Sequence, residues 1–174
     1  MSTSVVVISG TLHTPSRTDE VLGAVVAGLS AKRETDVRTI SPLAVAPSLV
    51  SALSEAPDEA LREQFAAIAA ADVVVIGTPV YKGAYTGLLK LYLDFLDVAH
   101  LESKPVVLVA TGGSDQHSLV IEHELRPLVG FFRAHPVPVG VYAARSDVLP
   151  DGTFSDRLAA AIDGAVDGAL ALLP

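Results

Sequence analysis

The chain has 174 residues, with 12 Lys and Arg against 20 Asp and Glu, a formal charge of −8, and no cysteine. Half of it is hydrophobic, which excludes a disordered chain, and its scattered basic residues exclude a surface built to neutralise nucleic-acid phosphates. Without cysteine there is no disulfide frame, thiolate nucleophile or thiolate metal site. The apolar runs fall well short of the roughly 18–20 residues that span a bilayer. MSTSVVVISG lacks the basic start and long apolar core of a secretory signal. A cytoplasmic protein that touches neither membrane nor nucleic acid is expected.

In chain order, β-branched apolar runs at Ser4–Ser9, Asp36–Ile40, Asp72–Gly77, Pro105–Ala110 and Val137–Ala143 read as strands. Segments with helical spacing separate them. Thr18–Arg33 carries Val21, Leu22, Val25, Val26 and Leu29, and Glu55–Ala71 carries Leu61, Phe65 and Ile68. Gly87–Val98 and Ser155–Leu173 repeat the pattern, while Ser41–Pro57 reads as one long irregular connection. Strands apolar on both faces, alternating with helices, indicate a parallel sheet covered on two sides. The fold class is therefore α/β, one domain over residues 1–174, with a five-stranded sheet of expected order 2-1-3-4-5.

His117–Phe132 is the discordant helix, because Pro127 falls in its middle. An interior proline withholds one hydrogen bond and crowds the carbonyl four residues back, which here belongs to His123. One residue of extra backbone relieves that clash, so a π-turn or kink is expected within Ile121–Pro127. A simple kink with His123 in solvent is the plainer alternative.

In such a sheet ligands gather beyond the carboxyl ends of the strands, where strand order reverses. After strand one comes SGTLHTPSRTDE, without the GxGxxG or GxxxxGK[ST] spacing of the common nucleotide loops. It offers Thr11, Ser16 and Thr18 with Arg17 just before a helix, a group suited to a phosphate. Ser16-Arg17-Thr18-Asp19 also matches a capping box that needs no ligand. After strand three, GTPVYKGAYTGLLK stiffens its exit with Pro79 and offers Tyr81 and Tyr85 as walls for a flat ring, with Lys82 between them. After strand four, Thr111, Gly112 and Gly113 expose backbone to a ligand's polar edge. No histidine or carboxylate spacing suggests a metal site. One loop suited to a phosphate and two suited to a flat polar ring jointly favour FMN.

These stretches, GTLHTPSRT, TPVYKGAYTGLLK and ATGG with a following histidine, closely resemble the NAD(P)H-dependent FMN reductases. The nearest subgroup is the reductases of alkanesulfonate and methanesulfonate two-component monooxygenase systems. The resemblance covers nearly the whole chain and is weakest in Ser41–Glu55 and after Asp147. It implies a flavodoxin-like three-layer sandwich, with phosphate binding by Thr11, Ser16, Arg17 and Thr18. It further implies that Pro79, Val80, Tyr81 and Lys82 border the flavin, and that Thr111, Gly112 and Gly113 complete the ring site. The implied reaction is hydride transfer from NAD(P)H to flavin N5, giving FMNH2 for a partner flavin-dependent monooxygenase. Homodimers or homotetramers are usual in this family. Alkanesulfonate-type members carry an inserted tyrosine that makes a π-helical turn at a subunit interface near the flavin, and the matching position here is His123. No catalytic acid or base stands out beside it. The alternatives are a reductase that keeps its FMN and reduces quinones, azo dyes or chromate, and a flavodoxin-like electron carrier.

Overall fold

A computed structural model describes residues 2–173. The expected domain bounds include Met1 and Pro174, which lie outside the described residues. The elements run β1 (Thr3–Ser9), α1 (Arg17–Lys32), β2 (Thr35–Ile40), α2 (Ala46–Ser51), α3 (Glu59–Ala70), β3 (Val73–Pro79), α4 (Gly87–Asp94) and β4 (Pro105–Thr111). A π-turn (Ile121–Leu125), α5 (Arg126–Phe131), β5 (His135–Pro136), β6 (Val141–Ala143) and α6 (Asp156–Ala171) follow. The strands are parallel in the order β2-β1-β3-β4-β5, with β6 also paired to β4. This is the flavodoxin-like order, with its reversal between β1 and β3.

The period of two along each strand assigns the two cores. Val6, Ile8, Val74, Ile76, Val106 and Leu108 face the layer of α3, α4 and α5. Their neighbours Val5, Val7, Val73, Val75, Val107 and Val109 face α1 and α6. Both sets are essentially inaccessible to solvent. Each such side chain contributes about 1.5–3 kcal/mol by leaving water, so the β-branched runs fix the centre of the sheet.

One close approach sets how α1 lies on the sheet. A Cβ on Gly77 would meet the Leu22 side chain at 2.7–2.8 Å. The Gly77 carbonyl accepts the Gly10 N–H at 2.7 Å, joining the ends of β1 and β3. Gly77→Ala is therefore expected to destabilise the protein by about 1–3 kcal/mol through overpacking. Urea unfolding would read this as a lower midpoint with an unchanged slope.

The fifth strand is not the continuous Val137–Ala143 run. β5 pairs His135 with Pro105, whereas β6 pairs Val141 with Val109, so the partner offset grows from 30 to 32 residues along β4. Pro136 and Pro138 have no N–H for the ladder and confine this segment to an interrupted edge. The Arg126 guanidinium donates to the Val137 carbonyl at 3.0 Å and the Pro138 carbonyl at 3.2 Å, satisfying groups that the break frees. The connection after β2 is also less irregular than expected, since α2 occupies Ala46–Ser51 with Pro47 in its first turn.

The segment around Pro127 is not one regular helix. A 3-10 turn at Asp115–His117 is followed by the π-turn at Ile121–Leu125, where the Arg126 N–H reaches back five residues to the Ile121 carbonyl. Pro127 then falls in the first turn of α5, where a missing N–H leaves no gap. The wide turn presses Ile121 against Gly140, where a Cβ would overlap it. His123 is exposed on this turn.

Candidate functional site

The carboxyl ends of β1, β3 and β4 open into a cleft of 230 Å³. It is lined by Thr11, Ser16, Arg17 and Thr18 from the first loop, Pro79, Val80 and Tyr81 from the second, and Thr111, Gly112 and Gly113 from the third. His13 and Pro15 line it as well. Ten of the residues expected at a binding site thus come together, although the three loops are far apart in sequence. Lys82 does not join them. It lies with Gly83 at the tip of a tight turn closed by paired backbone bonds between Tyr81 and Ala84, at φ 56° and 85°. Left-handed backbone at both central positions is the geometry of a type I′ turn, and it leaves the Lys82 side chain exposed.

The start of α1 has the features of an anion site. Ser16 is the N-cap, its Oγ accepting the Thr18 N–H at 3.1 Å, which leaves the hydroxyl hydrogen free to donate. The first-turn N–H groups of a helix point out of its N-terminus, and the helix dipole adds partial positive charge there. The expected capping box does not close. The Asp19 carboxylate instead accepts the Ser9 hydroxyl at 2.5 Å, which anchors it to the end of β1. Arg17 supplies a cationic side chain and His13 an imidazole, and among the described residues no Asp or Glu lines the cleft. In a chain of charge −8, this acid-free wall is a local exception with a clear electrostatic sign.

Two of the expected phosphate hydroxyls have other partners. Thr11 Oγ1 donates to the His13 carbonyl at 3.0 Å and shapes the loop around it. Thr18 is buried, and its hydroxyl lies 2.8 Å from that of Thr111, also buried. This contact ties the start of α1 to the end of β4 across the cleft floor. Only one hydrogen lies between the two oxygens, so the pair retains a second hydroxyl hydrogen.

The second loop is held by the hydroxyls of Thr78 and Thr86. Thr86 caps α4 and donates to the Gly10 carbonyl at 2.7 Å, while its own N–H donates to Thr78 Oγ1 at 3.1 Å. The Val80 N–H donates to the Thr111 carbonyl at 2.8 Å. These bonds fix where Tyr81 stands, a ring 41% exposed at the cleft rim. Such a ring offers an apolar face while its hydroxyl stays in water.

The third loop leans on the end of the chain. The Gly112 N–H donates to the Ala143 carbonyl at 2.9 Å. The Tyr142 hydroxyl donates to the Ser114 carbonyl at 2.5 Å. Arg157 of α6 bonds Asp115 at 3.1 Å and also pairs with buried Asp147. Burial pushes the Asp147 carboxyl up. Bonds from the Ser155 hydroxyl and the Ala144 N–H, with Arg157 beside them, outweigh it and hold the group below the usual range. Among the described residues no group of three or more His, Asp or Glu is arranged to hold a metal ion, and no helix is long and apolar enough to cross a membrane.

Cationic groups and helix N–H donors at one end, an aromatic wall beside them and a backbone turn at the other suit a phosphorylated flat heterocycle such as FMN. Comparison with known proteins agrees. The family model for NADPH-dependent FMN reductase matches residues 3–148. The chain is 44% identical over 149 residues to the NADH-dependent FMN reductase SfnF of Pseudomonas putida, covering 83% of this chain and 80% of that one. It is 39% identical over 170 residues to an FMN reductase (NADPH) of Pseudomonas aeruginosa, covering 97% and 91%. The solved structure of an oxidoreductase from Corynebacterium diphtheriae superposes with a TM-score of 0.88 at 37% identity, covering 99% of this chain and 97% of that one.

Proposed function

The chain belongs to the NADPH-dependent FMN reductase family, and from that premise we propose that it reduces FMN at the expense of NAD(P)H and releases the product to a flavin-dependent monooxygenase. The observation that carries this reading is the acid-free cleft at the strand-order reversal, with Ser16, Arg17 and His13 at one end and Tyr81 and the Gly112–Gly113 turn at the other. FMN bound there would supply the redox chemistry, as the acceptor of the hydride that NAD(P)H gives up. The protein's residues bind and orient. Ser16, Arg17 and the first turn of α1 hold the phosphate, and Val80 and Tyr81 border the ring. The Thr111–Gly113 turn meets the ring's polar edge. No side chain has to move a proton, which agrees with a cleft holding no carboxylate beside its histidine.

An open cleft suits a flavin that has to leave, and Arg17, Tyr81 and Gly113 are exposed along this one. The motif resemblance to the reductases of alkanesulfonate and methanesulfonate two-component systems supports a monooxygenase partner in organosulfur metabolism. The whole chain is proposed to act as one domain in a cytoplasmic homodimer or homotetramer. His123 supports an interface role by its place on the π-turn, where it lines a small recess with Gly83 on the Tyr81 turn.

Initial rates measured with NAD(P)H and FMN both varied test the reading. Intersecting reciprocal plots, with flavin lost on gel filtration, are expected. Parallel plots of NAD(P)H against an added quinone, with flavin retained, establish the rival, and no FMN binding together with no NAD(P)H oxidation overturns both.

A further inference from the structure

We propose that Tyr142 is a positioning residue whose hydroxyl sets the Gly112–Ser114 turn against the polar edge of the flavin ring, an inference that rests on the FMN reading above. Tyr142 is the central residue of β6, with its ring 6% exposed among apolar neighbours. A phenylalanine would fill that space equally well. What the hydroxyl adds is one bond, to the Ser114 carbonyl at 2.5 Å. Bringing a hydroxyl out of water is unfavourable unless a bond replaces its hydration, and here the replacement lies on the turn.

The turn is shaped to receive it. A Cβ on Gly112 would overlap the Tyr142 oxygen, so residue 112 must be glycine while the hydroxyl is in place. The Gly112 N–H is held by the Ala143 carbonyl, and Asp115 by Arg157. Gly113 is therefore suspended between gripped residues on both sides and is exposed at the cleft. A backbone group meeting a ligand's polar edge has to be placed within about half an ångström, and this is what a braced turn provides. The strand behind the site thus sets the orientation of its front.

Three variants test the proposal with the full chain: Tyr142→Phe, Gly112→Ala and the pair together. Tyr142→Phe is expected to unfold at nearly the wild-type temperature and to bind FMN roughly fivefold more weakly, the loss of one hydrogen bond. The visible absorption bands of bound FMN should shift, which a packing defect alone would not produce. Gly112→Ala is expected to weaken FMN binding by about tenfold or more, because its methyl group displaces the hydroxyl. In the double variant the overlap is gone and the nearest ring carbon remains at 3.1 Å, so its loss should be no greater than that of Gly112→Ala alone. Wild-type binding and spectrum in Tyr142→Phe, or losses that simply add in the double variant, overturn the proposal and leave the FMN reading standing. Absence of FMN binding by the wild-type protein overturns both.

Discussion

Replacing Arg17 with glutamate is expected to weaken FMN binding by about a hundredfold and to leave riboflavin binding within about twofold. Arg17 is exposed at the first position of α1, so its interactions are screened nearly as in water. A unit pair about 5 Å apart is then worth about 0.8 kcal/mol. Reversing the side-chain charge is a swing of two units, and a phosphate close to dianionic doubles it again, giving about 3 kcal/mol. Riboflavin has the same ring and ribityl chain without the phosphate, so it isolates the electrostatic part. Quenching of flavin fluorescence measures both affinities. The FMN loss should shrink as salt is raised. Equal losses for the two flavins would mean that Arg17 acts on loop structure, and no loss would remove the phosphate from this end of the cleft.

The second large effect is on stability. Asp147→Ala is expected to cost about 2–3 kcal/mol near neutral pH, because the Ala144 N–H, the Ser155 hydroxyl and Arg157 all lose a charged acceptor in a buried setting. Arg157 is 53% exposed and regains water, which keeps the figure below that of a fully buried pair. The pH dependence has a definite sign. The folded carboxyl lies below its ordinary value, so its contribution is complete above the unfolded value of about 3.9 and fades as pH falls through the lower folded value. Urea midpoints of wild type and variant should differ most at about pH 6–7 and draw together as pH falls through the lowered folded value. A gap that persists unchanged at low pH would place the stabilisation elsewhere.

Much of the architecture is legible in the residues because period and chemistry agree there. Val5–Ile8, Val73–Ile76 and Val106–Val109 are buried on alternate faces, and β-branched runs between helical stretches have few other solutions. The disturbance before Pro127 is legible too, since a proline ring and a helical carbonyl cannot share one space. The split of the last strand was open to reading, because Pro136 and Pro138 cannot donate to a ladder. Motif spacing carries no φ angle, so it does not show that Lys82 sits exposed at the tip of a left-handed turn outside the lining of the cleft.

What sequence spacing could not carry is the pairing of distant side chains. Thr18 and Thr111 are 93 residues apart, and Thr86 meets Gly10 across 76. Arg157 reaches Asp115 across 42 residues. Each is a common polar residue with no local pattern, made specific only when the sheet brings its loop to the same edge. His13 is inconspicuous in the sequence for a similar reason. A histidine between Thr11 and Pro15 reads as loop until Thr11 folds that loop inward and sets it beside Arg17.

The measurement closest to the central claim is a crystal structure of the protein with FMN. The account predicts the phosphate against Ser16, Arg17 and the first turn of α1, one face of the ring toward Val80 and Tyr81, and its polar edge at Gly112–Gly113. A flavin bound with its ring at the α1 end, or bound away from the ends of β1, β3 and β4, would contradict it.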